Sequence, residues 1–200
     1  MTMRATPVPR KGFTLVEAMV SLTVIAMSAA ALFLAVQTTV QARTDAMEQT
    51  IAMGLARQLI DEVLGQPYHS PESGPTAYPL GPAGREAAGV GREHFDETGD
   101  YNGYAAQPPV DMWGAPIGQG SVGGGLRHAD LRVPSSYFDK FRQEVDVYYV
   151  NDLNSSIRLE SGQTGDHRAV EVRILRVNRD RSTTELARLR QVFVYVPSPN

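Results

Sequence analysis

The stretch Lys11-Gly12-Phe13-Thr14-Leu15-Val16-Glu17 decides how this 200-residue chain is organised. It joins a short basic N-terminus to an apolar segment that carries no charge from Ala18 to Ala42. The carboxylate of Glu17 lies near the start of this segment, where a charged side chain costs about 2.5–3.5 kcal/mol on membrane-insertion scales. A charge at such a costly position indicates a functional role for Glu17.

The overall composition allows one modest domain plus an appendage. The formal net charge is −3, and residues 1–12 hold Arg4, Arg10 and Lys11 but no acidic residue, so the rest of the chain is more acidic still. An acidic chain lacks the basic face that nucleic acid binding requires, and no nucleic acid partner is expected. Because the chain has no cysteine, disulfides and cysteine-ligated metals are excluded.

Three interpretations of the N-terminal segment are open. A secretory signal peptide has an uncharged apolar region of about 7–15 residues, whereas the apolar stretch here runs from Phe13 to Val36 and contains Glu17. A plain signal anchor fits the length, since about 20 residues span the hydrocarbon core. The basic residues would then hold the N-terminus in the cytoplasm, but Glu17 and Gly12 would have no role.

The third interpretation uses every residue of the junction. The run from Gly12 to Glu17, followed by Ala18-Met19-Val20-Ser21-Leu22, closely resembles the class III signal of type IV pilins and type II secretion pseudopilins. The resemblance implies that prepilin peptidase cleaves between Gly12 and Phe13 and that Phe13 becomes N-methylated. It also implies that Glu17, which would be the fifth residue of the mature chain, acts in filament assembly.

The chemistry of the junction agrees with this resemblance. Gly12 has no side chain, so a protease can approach the bond after it closely. Cleavage there frees an α-amino group on Phe13, one helical turn from Glu17. A carboxylate in an apolar surrounding needs a cationic partner or becomes neutral. The Phe13 ammonium of one subunit could therefore pair with Glu17 of its neighbour and set the axial register of a filament.

Helical spacing continues beyond the apolar segment as far as Leu64. Apolar residues recur mostly every fourth position and polar residues fill the other faces, as in an amphipathic helix. Gly65-Gln66-Pro67 is a typical helix stop. The sequence therefore predicts a single helix from Phe13 to Leu64, with residues 13–36 crossing the membrane and residues 37–64 packing on a core.

Residues 65–140 are rich in glycine and proline and predict a long variable loop between the helix and a sheet. Asp96, Asp100 and Asn102 cluster oxygen ligands within this loop and are the candidate calcium ligands. The histidines show no spacing that pairs them on a metal. No cofactor is otherwise expected.

Residues 141–200 contain three runs that alternate apolar and polar side chains, as half-buried strands do. The runs are Glu144–Val150, Ala169–Val177 and Leu186–Val196, and Ile157–Glu160 predicts a short fourth strand. Their apolar face must be covered, and only the amphipathic helix is long enough to do so. The predicted fold is therefore α+β, a long N-terminal helix on an antiparallel sheet, and the family resemblance implies the same pilin-like arrangement.

Several arginines fall in or beside the second of these runs, and they predict the solvated face of a strand. They are Arg168, Arg173, Arg176, Arg179 and Arg181.

The resemblance predicts a prepilin-like structural subunit and not an enzyme. Residues 1–12 are the leader, and the chain would sit in the bacterial inner membrane as a single pass, N-terminus cytoplasmic, before entering a periplasmic or surface filament. The implied partners are prepilin peptidase, other pilin or pseudopilin subunits, the inner-membrane assembly platform and membrane lipid. Residues Leu55–Glu62 resemble the same region of minor pseudopilins, which favours a minor subunit of a type II secretion system. The alternative is a signal-anchored membrane protein with an extracytoplasmic binding or enzymatic domain.

Overall fold

The computed structural model describes residues 12, 14–120 and 125–197. The chain divides into two compact units, Met1–Met47 and Glu48–Asn200. Helix α1 (Leu15–Leu64) contributes residues to both units. The second unit also holds strands β1 (Ala105–Ala106), β2 (Phe141–Tyr149), β3 (His167–Val177) and β4 (Thr183–Val194). Short 3-10 turns lie in the loop region at Glu86–Ala88, Thr98–Tyr101, Ala129–Leu131 and Ser135–Tyr137.

The part of α1 that lies in the first unit exposes large apolar side chains all round, among them Leu22, Ile25 and Phe33. Most of its hydroxyl groups donate to carbonyls of the preceding turn, as Ser28 Oγ does to the Val24 oxygen at 2.8 Å. In lipid, every polar group needs such an internal partner. Within the described part of the chain, α1 is the one helix that has the length and apolar composition to cross a membrane.

The second unit is a four-stranded antiparallel sheet with the order β1-β2-β3-β4. Burial alternates residue by residue along β2, so that one face of the sheet is apolar. The end of α1 covers this face with a stripe of buried side chains at helical spacing. The stripe consists of Ala52, Leu55, Ala56, Leu59, Ile60 and Val63. Burying each of the larger aliphatic side chains contributes about 1.5–3 kcal/mol.

This architecture confirms the predicted pilin-like α+β fold class. The pairing of β3 with β4 contains a register shift at Ile174/Leu175. The fourth strand, however, comes from the loop region, where β1 pairs with β2. The run Ile157–Glu160 instead forms an isolated bridge between Val150 and Arg158.

The prediction that Arg168 lies on a solvated strand face is wrong, because its side chain is completely buried. Arg168 lies two residues before Val170 and four before Val172. The three side chains therefore project from the same face of β3, the face that α1 covers. Arg173 projects from the opposite face of β3, where its Nη2 lies 3.1 Å from Oε2 of Glu144.

Candidate functional site

The N-terminal junction is described from Gly12, which is exposed, and Thr14 onward, whereas Lys11 and Phe13 lie outside the described residues. Thr14 stands immediately before α1, and its Oγ1 accepts the backbone N–H of Glu17 at 3.3 Å. This bond satisfies one of the free donors at the start of the helix. Thr14 and Glu17 have the spacing of a capping box, a signal in the sequence that the helix begins here.

Glu17 lies in the first turn of α1 with its side chain exposed. The positive end of the helix dipole favours a negative charge at this position. The turn therefore presents the carboxylate outward at the start of the apolar segment. The pairing of Glu17 with the Phe13 amine stays a prediction, since Phe13 lies outside the described residues.

The structure brings two of the three candidate calcium ligands together. Ligand oxygens of Asp96, Asp100 and Glu86 all lie within 4.8 Å of one another. Glu86 was not predicted, because it lies ten or more residues earlier in an irregular loop. The Asn102 side chain is used elsewhere: its Nδ2 donates to the Leu80 oxygen at 3.0 Å, and its Oδ1 accepts from the Val147 N–H at 3.2 Å.

Asp100 has a structural role in the turn that carries this cluster. Its Oδ2 accepts the backbone N–H groups of Asp96 at 2.9 Å and of Glu97 at 3.0 Å. Burial raises the pKa of the Asp100 carboxyl to about 6, although the two N–H groups act in the opposite direction. The carboxyl that is central to the cluster is therefore already bonded within the fold.

Two ion clusters, each centred on a carboxylate of α1, hold the helix to the rest of the second unit. Glu48 accepts from Lys140 and, at 2.9 Å, from Nη1 of Arg176. Burial alone would raise the pKa of Glu48, but the hydrogen bonds from these two cations outweigh it and hold the pKa below its ordinary value. At the other end, Glu62 binds Arg92 through two parallel bonds of 2.7 and 2.9 Å.

Arg168 holds the loop region to the sheet. Its guanidinium donates to the carbonyl of Tyr68 at 2.6 Å and to that of Pro75 at 3.1 Å. It also donates to the Tyr149 hydroxyl at 2.9 Å and lies 4.2 Å above the Tyr68 ring. No described carboxylate forms an ion pair with it, so carbonyl oxygens and aromatic rings stabilise this buried cation.

Residues 9–33 match the family model described as the prokaryotic N-terminal methylation motif. The N-terminal segment is thus a class III signal of the type IV pilin and pseudopilin kind. Comparisons of the chain with curated proteins and with solved structures gave no match. The match therefore covers only the N-terminal segment of the chain.

Proposed function

We propose that this chain is a prepilin-like structural subunit that is cleaved between Gly12 and Phe13 by prepilin peptidase and assembled into a filament. The match of residues 9–33 to the methylation motif carries the proposal, since that range contains Gly12, Phe13 and Glu17, the residues to which we assign cleavage, methylation and assembly. Residues 13–36 hold the subunit in the inner membrane before assembly, with the second unit outside the cytoplasm. The assembly platform and the other pilin or pseudopilin subunits are its partners.

Glu17 guides assembly in this proposal. An unpaired carboxylate in an apolar helix bundle is strongly unfavourable, whereas a carboxylate that meets an ammonium group is neutralised and bonded. A subunit that joins the filament in the correct axial register would pair its Phe13 ammonium with the Glu17 of a neighbour. A subunit displaced along the axis would leave both charges without a partner.

We favour a minor subunit of a type II secretion pseudopilus over a major fibre subunit, with a type IV pilus-like filament as the alternative assembly. The local resemblance of Leu55–Glu62 to minor pseudopilins supports this assignment. The absence of cysteine also sets the chain apart from those pilins that have a C-terminal disulfide. The alternative of a signal-anchored membrane protein differs in one testable respect, which is its processing.

Mass spectrometry of the protein extracted from membranes tests the cleavage. The expected N-terminal residue is Phe13 carrying one methyl group. A chain that retains Met1 or Thr2 would support the signal anchor instead. A new N-terminus near residue 30 would identify a secreted product and refute the proposal.

A Glu17→Ala variant tests the role in assembly. Membrane insertion and cleavage should persist, because the apolar segment and Gly12 are unchanged, while recovery of the subunit in sheared filaments should be lost. Ser21→Ala, one helical turn further along the same exposed segment, is the matched control and should assemble normally. Normal incorporation of the Glu17→Ala chain would remove Glu17 from the mechanism.

A further inference from the structure

The outer edge of β4 is an open strand edge. β4 is the last strand in the sheet order, and Tyr195, just beyond it, donates its backbone N–H to the Asp166 carbonyl at 3.0 Å on the β3 side. Backbone groups alternate between the two sides in antiparallel pairing. The N–H and C=O groups of Arg190, Val192 and Val194 therefore point to the open side, and none of the described residues bonds to them.

The opposite edge of the sheet, in contrast, is covered by other parts of the chain. There, the Val145 N–H donates to the Tyr104 carbonyl at 2.9 Å, and its own carbonyl accepts from Gly103 at 3.1 Å. Beside it, the side chain of Asn102 caps the N–H of Val147. The chain thus protects one edge with its own loop. An exposed edge of 12 residues is a template for pairing with another chain.

An aromatic cleft of about 690 Å³ lies at the C-terminal end of this edge. The rings of Tyr68, His69 and Tyr195 contact one another there, with centroids 5.3–6.5 Å apart. Val194 and Val196 are 45% and 76% exposed beside them. An apolar side chain from a partner would bury aromatic and aliphatic surface in this cleft.

Two charged side chains near the edge indicate which charges a binding partner would carry at each end. Asp96 is exposed on the rim of the cleft. Arg190 lies four residues before Val194, about 13 Å away along the strand. Its Nε donates to the Tyr148 hydroxyl at 3.0 Å and its Nη2 to the Ser155 carbonyl, while no Nη1 bond and no ion pair with a carboxylate is formed among the described residues, so Nη1 is the group left for a partner. A complementary partner is therefore basic near the cleft and acidic near Arg190.

We infer that the outer edge of β4 binds an extended segment of another protein as an added antiparallel strand. The segment carries a cationic residue opposite Asp96, an aromatic side chain next to it that enters the cleft, and a carboxylate opposite Arg190. Main-chain hydrogen bonds to Arg190, Val192 and Val194 supply affinity, and the cleft and the two charges supply specificity. No residue of the first unit takes part, so this inference does not depend on filament assembly.

The blocked peptide Lys-Tyr-Val-Thr-Val-Glu is the probe, and its charge-exchanged form Glu-Tyr-Val-Thr-Val-Lys is the control. Hydrogen exchange is measured on the full chain in detergent micelles. At a peptide concentration about ten times Kd, exchange of the Arg190, Val192 and Val194 amides should slow about tenfold. The control peptide should give little protection. Equal protection by both peptides, or none by either, would overturn the inference.

Two variants make the test specific to the edge and to the cleft. Val192→Pro removes one outward donor at an edge position that tolerates proline, whereas Val192→Thr keeps the donor. Asp96→Lys reverses the charge of an exposed side chain and supplies a variant that does not depend on the strand backbone. Val192→Pro and Asp96→Lys should both abolish protection and Val192→Thr should retain it. Unchanged binding of the peptide by Asp96→Lys would refute the assignment. Amide protection that rises with protein concentration in the absence of peptide would also refute it, because a second copy of the chain would then cover the edge.

Discussion

Replacing Glu62 with glutamine is expected to destabilise the second unit by about 3 kcal/mol. The Glu62 carboxylate binds the Arg92 guanidinium through two bonds of 2.7 and 2.9 Å and accepts the Tyr101 hydroxyl at 3.1 Å. The Arg92 side chain is only 2% exposed, and that of Glu62 is 19% exposed. Removing one partner of a buried pair costs about 3–5 kcal/mol. The partial exposure of Glu62 places the expected value at the lower end.

The sole tryptophan, Trp113, provides the assay. The Arg92 backbone N–H donates to the carbonyl of Met112, the residue before Trp113, at 2.6 Å, so the backbone at Trp113 is joined to the perturbed segment. Urea unfolding of the full chain in detergent micelles is followed by tryptophan fluorescence. With an m-value of about 1–3 kcal/mol per M, a loss of about 3 kcal/mol lowers the midpoint by about 1–3 M.

Two controls separate the buried charge from general damage to the helix. Asp61→Asn changes the neighbouring exposed carboxylate and should shift the midpoint little. The double variant Glu62→Leu with Arg92→Met removes both charges and should regain most of the lost stability, because an apolar pair of similar volume often replaces a buried ion pair without loss. A Glu62→Gln loss below about 1 kcal/mol, or a double variant no more stable than the single one, would refute the reasoning.

Three further predictions use the same unfolding assay. Arg168→Met should cost about 2–4 kcal/mol, because the Tyr68 and Pro75 carbonyls lose their buried donors; a change below 1 kcal/mol would contradict this. The Asp100 pKa is raised from 3.8 to about 6, so its stabilising effect is present below about pH 4 and is lost as the pH rises through 6. Asp100→Asn should therefore gain stability relative to wild type between pH 4 and pH 7, and a constant difference would disprove the shift. Millimolar calcium should leave the midpoint unchanged, because Asp100 is already bonded to two N–H groups; a rise that Asp96→Asn abolishes would show a calcium site.

The apolar periodicities of the sequence were sufficient to predict the helix, the three long strands and the covering of the sheet. β2 alternates in burial at every position from Phe141 to Tyr149, and the helical stripe includes Leu55, Leu59 and Val63 as expected. Both patterns are local, because the face on which a side chain lies depends only on its position along its own helix or strand. The same alternation would have placed Arg168 on the covered face, since it lies two residues before Val170 in β3.

The loop contacts could not be predicted, because they join residues that are far apart in the chain and separated by irregular backbone. Glu62 pairs with Arg92 across a glycine- and proline-rich stretch that has no apolar periodicity. Glu48 pairs with Lys140 and Arg176, which lie even further along the chain. Beside the predicted Asp96 and Asp100, the acidic cluster gained Glu86 for the same reason. A sequence pattern identifies such residues as charged but contains no information about their partners.

The two clusters at Glu48 and Glu62 together define the register of the helix on the sheet. The two carboxylates are separated by about four turns at about 3.6 residues per turn, so they project from the same face of α1. The apolar stripe between them supplies most of the burial, but apolar contacts tolerate sliding by one turn, since another aliphatic side chain arrives at nearly the same place. A slide of one turn would take Glu48 from Lys140 and Arg176 and would leave Arg92 buried without Glu62. Because the loss at the buried Arg92 is costly and the loss at Glu48 adds to it, the apolar residues stabilise the contact while the charged residues select one register.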